Sequence, residues 1–213
     1  MRRAALTSAL AVIAFTLIFG LAYPLAMTGI SQLVFPGKAA GSRVTIGGQL
    51  VGSSLIGQDF KGDPRYFQSR PSQSDYAADT TFFSNSGPNS VEEREAVREN
   101  LGAYLKLEKP YDRSLTKAGV PVDAVTMSGS GVDPQISEAN ARIQAHRIAA
   151  VRRLPLAKVE GLISEHTDGR FLGLFGESGV NVLQLNIALD EKAPMGRNVN
   201  RELTFRPIGR GGE

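Results

Sequence analysis

The chain has 213 residues, a formal net charge of +3 at pH 7 and no cysteine. The lack of cysteine excludes disulfides, thiol catalysis and cysteine-bound metal. Much of the positive charge sits at the two ends, and no Lys/Arg-rich helix or stacking-aromatic motif goes with it, so no nucleic-acid partner is expected.

From Ala4 to Gly37 there is no charged residue, with Arg2 and Arg3 before the run and Lys38 after it. Leu6 to Leu25 holds ten Leu, Ile, Val or Phe residues. A helix of about 20 such residues crosses a hydrocarbon core of about 30 Å. A transmembrane helix with its membrane exit is therefore predicted over 6–34. Tyr23 stands where an interfacial aromatic belongs, and Pro24 is tolerated near the end of a span. Gly20-Leu21-Ala22 resembles a signal-peptide cleavage site, but the apolar stretch outruns the roughly 7–15 residues of such a peptide and continues past Pro24, so a retained anchor is expected. Gly20, Ala26 and Gly29 are small enough for close helix approach. Arg2 and Arg3 place the amino end (residues 1–5) in the cytoplasm and the rest outside, in a bacterial inner membrane crossed once.

After the turn-like exit at Phe35-Pro36-Gly37, residues 35–190 read as one extracytoplasmic α+β (mixed α/β) domain. Val44–Ile46 and Gln49–Val51 around Gly47-Gly48 predict a hairpin. Residues 57–90 are rich in turn formers, yet Phe60, Tyr66, Phe67, Tyr76, Phe82 and Phe83 predict an ordered, packed loop. A helix capped by Asn89 or Ser90 is predicted from Glu92 to about Lys106, with Val97, Leu101, Tyr104 and Leu105 as its apolar positions. Pro121–Thr126 reads as a strand feeding the loop Ser128-Gly129-Ser130-Gly131. The next helix is predicted over about Ser137–Arg153, with Ile136, Ala139, Ile143 and Ile148 or Ala149 near one face. Another starts at Pro155 with Val159, Leu162 and Ile163 inward. Arg170–Leu172 reads as a short strand. Val180–Leu189 fits a buried helix or a strand, with helix favoured. Residues 191–213 read as a disordered tail.

The enzyme motifs fail on spacing. Ser130 lies in S-G-S-G, whereas a nucleophile elbow needs glycines two residues to either side. His146 and His166 fall within or at the end of helices without an acid cluster, which argues against a metal site. Gly37-Lys38 is followed by Ala39, and Gln32 occupies the leading glycine position of a phosphate-binding loop. Pro134 occupies the third glycine of a dinucleotide fingerprint. What remains is the donor-rich Ser128–Gly131 loop ahead of a helix amino end, which suits an anion or a plain connection capped by Asp133 or Ser137.

Several blocks in fixed order resemble one family. These are Tyr23-Pro24, Phe35-Pro36 and Gly41-Ser42, then G-S-S-L-I-G-Q-D-F at 52–60. Tyr66-Phe67 with Arg70-Pro71-Ser72 follows, then Ser84-Asn85 with Asn89, and PVDAVTMSGSGVDPQIS at 121–137. Gln144, Arg147-Ile148-Ala149, Val180-Asn181-Val182, Leu185-Asn186 and Ala188-Leu189-Asp190 complete the series. Over about residues 6–190 the chain is similar to the C subunit of the Kdp potassium-transporting ATPases. Gly176-Glu177-Ser178 departs from the family's Gly-x-Pro turn. The resemblance implies a non-catalytic accessory subunit of a potassium pump. Its expected partners are a potassium-binding channel-like subunit, a P-type ATPase catalytic subunit and the lipid bilayer. It implies a role in assembly and in raising the catalytic subunit's ATP affinity. No cofactor is expected on the chain itself, and ATP belongs to the complex. Ser128, Gly129, Ser130, Gly131 and Gln144 are the residues carried over for a nucleotide or an interface. A domain outside the membrane would act on ATP only indirectly, while Asp59, Asp63 and Asp133 are candidates for concentrating cations. The alternative is a stand-alone anchored envelope binding module or weak hydrolase.

Overall fold

The computed structural model describes residues 2–79, 85–87, 89–170 and 172–194. Phe82, Phe83, Ser84 and residues 195–213 of the expected tail lie outside these. The chain forms two compact units that divide between Arg43 and Val44.

The first unit is one continuous 33-residue helix, Arg2–Val34, long and apolar enough to cross a membrane, with none of its residues buried. It comprises α1 (Arg2–Phe15), a π-helical stretch (Thr16–Ala22) and α2 (Tyr23–Val34). The π turns end two residues before Pro24, whose ring crowds the carbonyl four residues back and offers no N–H to it. The wider turns absorb that mismatch, and Tyr23 N–H donates to the Ile18 carbonyl, five residues back. The hydroxyls of Thr7 and Ser8 donate to the carbonyls of Arg3 and Ala4, both at 2.9 Å, so neither needs water. A single turn, α3 (Pro36–Ala39), follows the helix.

The second unit begins with β1 (Arg43–Ile46) and β2 (Gln49–Ser53), joined through Gly47-Gly48. Both glycines have positive φ, 57° and 82°, as a two-residue hairpin turn requires. The 57–79 segment has no helix or strand, but it is packed: Phe60, Tyr66 and Phe67 belong to the core. α4 (Val91–Glu108) is capped by Ser90, whose hydroxyl accepts from Glu93 N at 3.0 Å, and its first turn carries Glu92 and Glu93. Both features suit a helix amino end. Val97, Leu101, Tyr104 and Leu105 are half-buried.

The predicted strand at 121–126 is instead a 3-10 turn, Val122–Ala124, entered through Pro121. The apolar residues there are too few to alternate, and the Ala124 and Val125 N–H groups close back onto the carbonyls of Pro121 and Val122. A three-stranded antiparallel sheet has the order β3-β5-β4, from β3 (Gln135–Ile136), β4 (Thr167–Asp168) and β5 (Gly179–Asn181). Of the strand expected at 170–172, Phe171 lies outside the described residues and Arg170 and Leu172 are not in a strand; the strand is at 167–168, where pairing with β5 picks those residues out. α5 (Glu138–Arg152) is capped by Ser137, α6 (Leu156–Glu165) follows Pro155, and α7 (Val182–Lys192) is capped by Asn181. Residues 180 and 181 are thus strand and the remainder of that apolar run is helix.

The core gathers Ile148 of α5, Val159, Leu162 and Ile163 of α6, and Val182, Leu183, Leu185 and Leu189 of α7 around Phe67. Complete burial of such side chains contributes about 1.5–3 kcal/mol each. Ala139, expected inward, is exposed, and Ile143 is half-buried.

Gly57 marks a close approach of two chain segments. Its N–H donates to the Val132 carbonyl at 2.8 Å, and an added Cβ would collide with the backbone carbonyl of Asp133. Gly57→Ala should cost about 1–3 kcal/mol and lower the melting temperature by about 2–4 °C per kcal/mol. An unchanged melting curve for the purified chain would contradict this packing.

Candidate functional site

Beside its apolar positions α5 buries four polar residues, Asn140, Gln144, Arg147 and Arg152. The last three bond to residues 64–68, a stretch with no sheet or helix partners of its own. Buried carbonyls must find donors, and here those of the buried Tyr66 and Phe67 do so together with their neighbours at 64, 65 and 68. Arg147 Nη1 donates to the Pro64 and Tyr66 carbonyls at 2.6 and 2.9 Å, and Arg152 Nε to that of Arg65 at 2.8 Å. Asn186 of α7 grips Phe67 twice, accepting from its N–H at 2.9 Å and donating to its carbonyl at 3.0 Å. Gln144 does the same to Gln68, at 2.7 and 3.1 Å. Two side-chain amides thus replace the neighbouring strands of a sheet.

The arginines are balanced. Arg147 Nε meets both oxygens of Glu108 from α4, at 3.0 and 3.1 Å, in a pair that is fully buried. Burial pushes the Glu108 carboxyl above its ordinary range, against the pull of Arg147. Arg152 faces Asp190 at 2.7 Å and stacks over the Tyr66 ring at 4.9 Å, while Tyr66 Oη donates to Asp190 at 2.9 Å.

Gln144 is committed on every side. Beyond Gln68, its Nε2 donates to Asn140 Oδ1 and its Oε1 accepts from Arg147 Nη2, both at 3.0 Å. The Ser128–Gly131 loop lies elsewhere on the same 57–79 segment. Ser128 N–H donates to the Pro71 carbonyl at 2.8 Å, and Ser72 Oγ donates to that of Gly131 at 2.6 Å. Ser128 and Gly131 are buried, whereas Gly129 and Ser130 are exposed. Gly131 has φ +71° beside Ser74, where a side chain would not fit. Among the described residues no hydrogen bond joins Gln144 to this loop, although residues 68–74 touch both.

A carboxylate already occupies the amino end of α5. Asp123 accepts from Ser137 N, Ser137 Oγ and Asn140 Nδ2 at 2.8, 2.7 and 3.0 Å. Helix amino ends favour such an anion. Of the three acids considered for cations, Asp133 pairs with Arg70 at 3.0 Å and Asp63 with Arg65 at 2.5 Å. Asp59 is exposed and accepts from Lys61 N at 2.7 Å.

A cleft of about 570 Å³ opens between the 58–76 segment and α4, walled by Asp59, Arg70, Tyr76, Asn100, Tyr104 and Lys106. Tyr104 Oη donates to Asn140 Oδ1 at 2.9 Å, and Tyr76 Oη to the Arg70 carbonyl. The polar clamp itself was invisible as a pattern, because periodicity arguments count apolar residues. The one available signal was polar residues at helical spacing, Asn140, Gln144 and Arg147.

The chain matches the family described as "KdpC: K+-transporting ATPase, c chain" over residues 5–191. It belongs to the KdpC family. The chain is 49% identical to the potassium-transporting ATPase KdpC subunit of Cereibacter sphaeroides over 188 residues, covering 88% of this chain and 95% of the relative. It is 46% identical to that of Mycobacterium tuberculosis over 192 residues, covering 89% and 99%. The KdpC family membership makes it a subunit of a potassium-transporting ATPase.

Removing Arg147 should be the costliest change in the clamp. Arg147→Met leaves Glu108 buried without a counter-charge, a loss of about 3–5 kcal/mol. Adding Glu108→Leu should recover part of this but not all, since the Pro64 carbonyl then loses its donor and the Tyr66 carbonyl keeps only Gln68 Nε2. Denaturant titration of the three proteins checks the order, and a double variant weaker than the single would refute it.

Three phenols should also resist titration. Burial, then Asp190, pushes Tyr66 up to about 12, and burial raises Tyr76 and Tyr104. A folded value above the unfolded one of about 10 leaves stability intact below pH 10 and drains it as pH rises through the folded value. Tyrosinate absorbance from these residues should therefore appear together with alkaline unfolding. Full titration near pH 10 with the far-UV dichroism unchanged would contradict the burial.

Proposed function

We propose that the chain is the accessory, non-catalytic subunit of a high-affinity ATP-driven potassium uptake complex. On this reading Arg2–Val34 anchors it in the bacterial inner membrane, with the amino end cytoplasmic and the α+β domain outside. Its partners are the potassium-binding channel-like subunit and the P-type ATPase catalytic subunit, and it is required for their assembly.

The observation that carries the reading is that the family match runs through both units, the apolar helix as well as the domain. A 33-residue helix with no buried residue supports the anchor, because its apolar side chains have nothing but lipid or partner helices to cover them. The arginines preceding it support the orientation. Gln144 and Arg147 hold the chain's own backbone, which suits a rigid assembly element.

The chain raises the ATP affinity of the catalytic subunit through assembly and not through a nucleotide held on this domain. Gln144 contributes by fixing Gln68, and through it the 68–74 wall that the Ser128–Gly131 loop also touches. Gly129 and Ser130 are the part of that loop open to a partner.

Affinity purification of the tagged chain from potassium-starved native membranes in mild detergent tests this. Large membrane partners with potassium-stimulated, vanadate-sensitive ATP hydrolysis are expected. A lone 22.8 kDa chain without hydrolysis would refute the reading. Because the chain has no cysteine, Ser130→Cys reports sidedness in the same cells. A membrane-impermeant maleimide should label it in spheroplasts, and labelling only after lysis would reverse the orientation.

A further inference from the structure

Most large apolar side chains exposed on the second unit stand alone, such as Leu55, Val91 and Val122, and single exposures of this kind are ordinary. The connection between β4 and β5 is different. Leu172, Leu174 and Phe175 fall within four consecutive residues and are 74%, 77% and 63% exposed. The backbone that presents them is a formed turn. Gly173 N–H closes onto the Arg170 carbonyl at 3.0 Å, and Leu172, Gly173 and Gly176 all take positive φ, 53°, 73° and 81°. The base is fixed by pairing of Thr167 with Val180 and Asp168 with Gly179. A leucine in the left-handed region is unfavourable by itself, so the turn holds apolar side chains in water at a conformational cost that the isolated domain does not recover.

We propose that this connection is a docking knob whose Leu172, Leu174 and Phe175 side chains enter an apolar groove on a companion membrane subunit of the potassium-transporting ATPase. This rests on the reading of the chain as a pump subunit. The knob has the anatomy of an interface core: apolar at the centre, with a rim of both charge signs in Asp168, Arg170 and Glu177. That rim argues for a protein over a bilayer. Loops and helices that enter anionic membranes carry clustered Lys and Arg, and here two acids flank one arginine. The chain belongs to a family of pump subunits, so the protein that covers the knob is a companion subunit, and a second copy is an outcome of the test. Three side chains are fewer than a standard interface uses, so the knob acts as a concentrated anchor within a larger contact.

The test uses the tagged full chain in potassium-starved native membranes, wild type beside Leu174→Ser/Phe175→Ser and the conservative Phe175→Leu. The serine variant should recover at least ten-fold less partner per chain, while its melting temperature stays at the wild-type value because the changed side chains are exposed. Phe175→Leu should assemble normally. A photo-crosslinking side chain at position 174 should join the chain to a companion subunit. Partner recovery by the serine variant at the wild-type ratio overturns the knob and leaves the pump reading standing. Crosslinking only to lipid or to a second copy of this chain overturns it too. A wild-type chain that recovers no partner overturns both.

Discussion

The second unit depends on one constraint: the backbone of residues 64–68, which buries Tyr66 and Phe67, has no strand or helix to pair with. An unpaired buried carbonyl costs about 1–3 kcal/mol, so leaving those of Tyr66 and Phe67 without donors would remove a sizeable share of a domain's net stability of about 5–15 kcal/mol. The donors come from two helices. Arg147, Arg152 and Gln144 reach in from α5, and Asn186 reaches in from α7. An irregular segment is thereby held as firmly as a strand, with its aromatic side chains, Phe67 above all, turned into the core.

This arrangement accounts for the charges that would otherwise look misplaced. Two arginines inside a small domain are tolerable only with counter-charges and full hydrogen bonding. Glu108 and Asp190 supply the first, and the 64–68 carbonyls supply much of the second. The pairing also ties α4 to α5 and α7 to the aromatic loop, elements far apart in sequence. The exposed features are Gly129 and Ser130 on their loop, the apolar turn at 172–175, and the cleft along α4, which borders this interior at Gln68 and Tyr104. An accessory subunit of this design offers surfaces to its neighbours while its polar interior is spent on itself.

Local signals in the sequence carried much of the secondary structure. Ser90 with Glu92 and Glu93, Ser137, Pro155 and Gly47-Gly48 each mark an element boundary through backbone chemistry that acts within a few residues. The short strands were harder. Thr167–Asp168 and Gln135–Ile136 are two residues long and exist because β5 lies between them, so no periodicity announces them. The segment at 122–124 has the valines of a strand but no partner to pair with, so it closes into a 3-10 turn. On α5 the apolar rule pointed to Ala139, which is exposed, and passed over Asn140, Gln144 and Arg147, which are buried. Their family resemblance drew attention to Gln144 and Arg147, but the bonds they make were not legible.

The sequence by itself determined the long apolar helix, the absence of thiol chemistry, the caps and turns, and the family. Each follows from composition, from contacts between near neighbours or from ordered motifs. Only the tertiary structure decided what the polar residues are for. Gln144 meets Gln68, Arg147 meets Glu108 and Asn186 meets Phe67 across separations of 76, 39 and 119 residues. Such pairs are set by how helices pack around a loop. A buried amide and an exposed one read alike in the sequence until that packing supplies the partner.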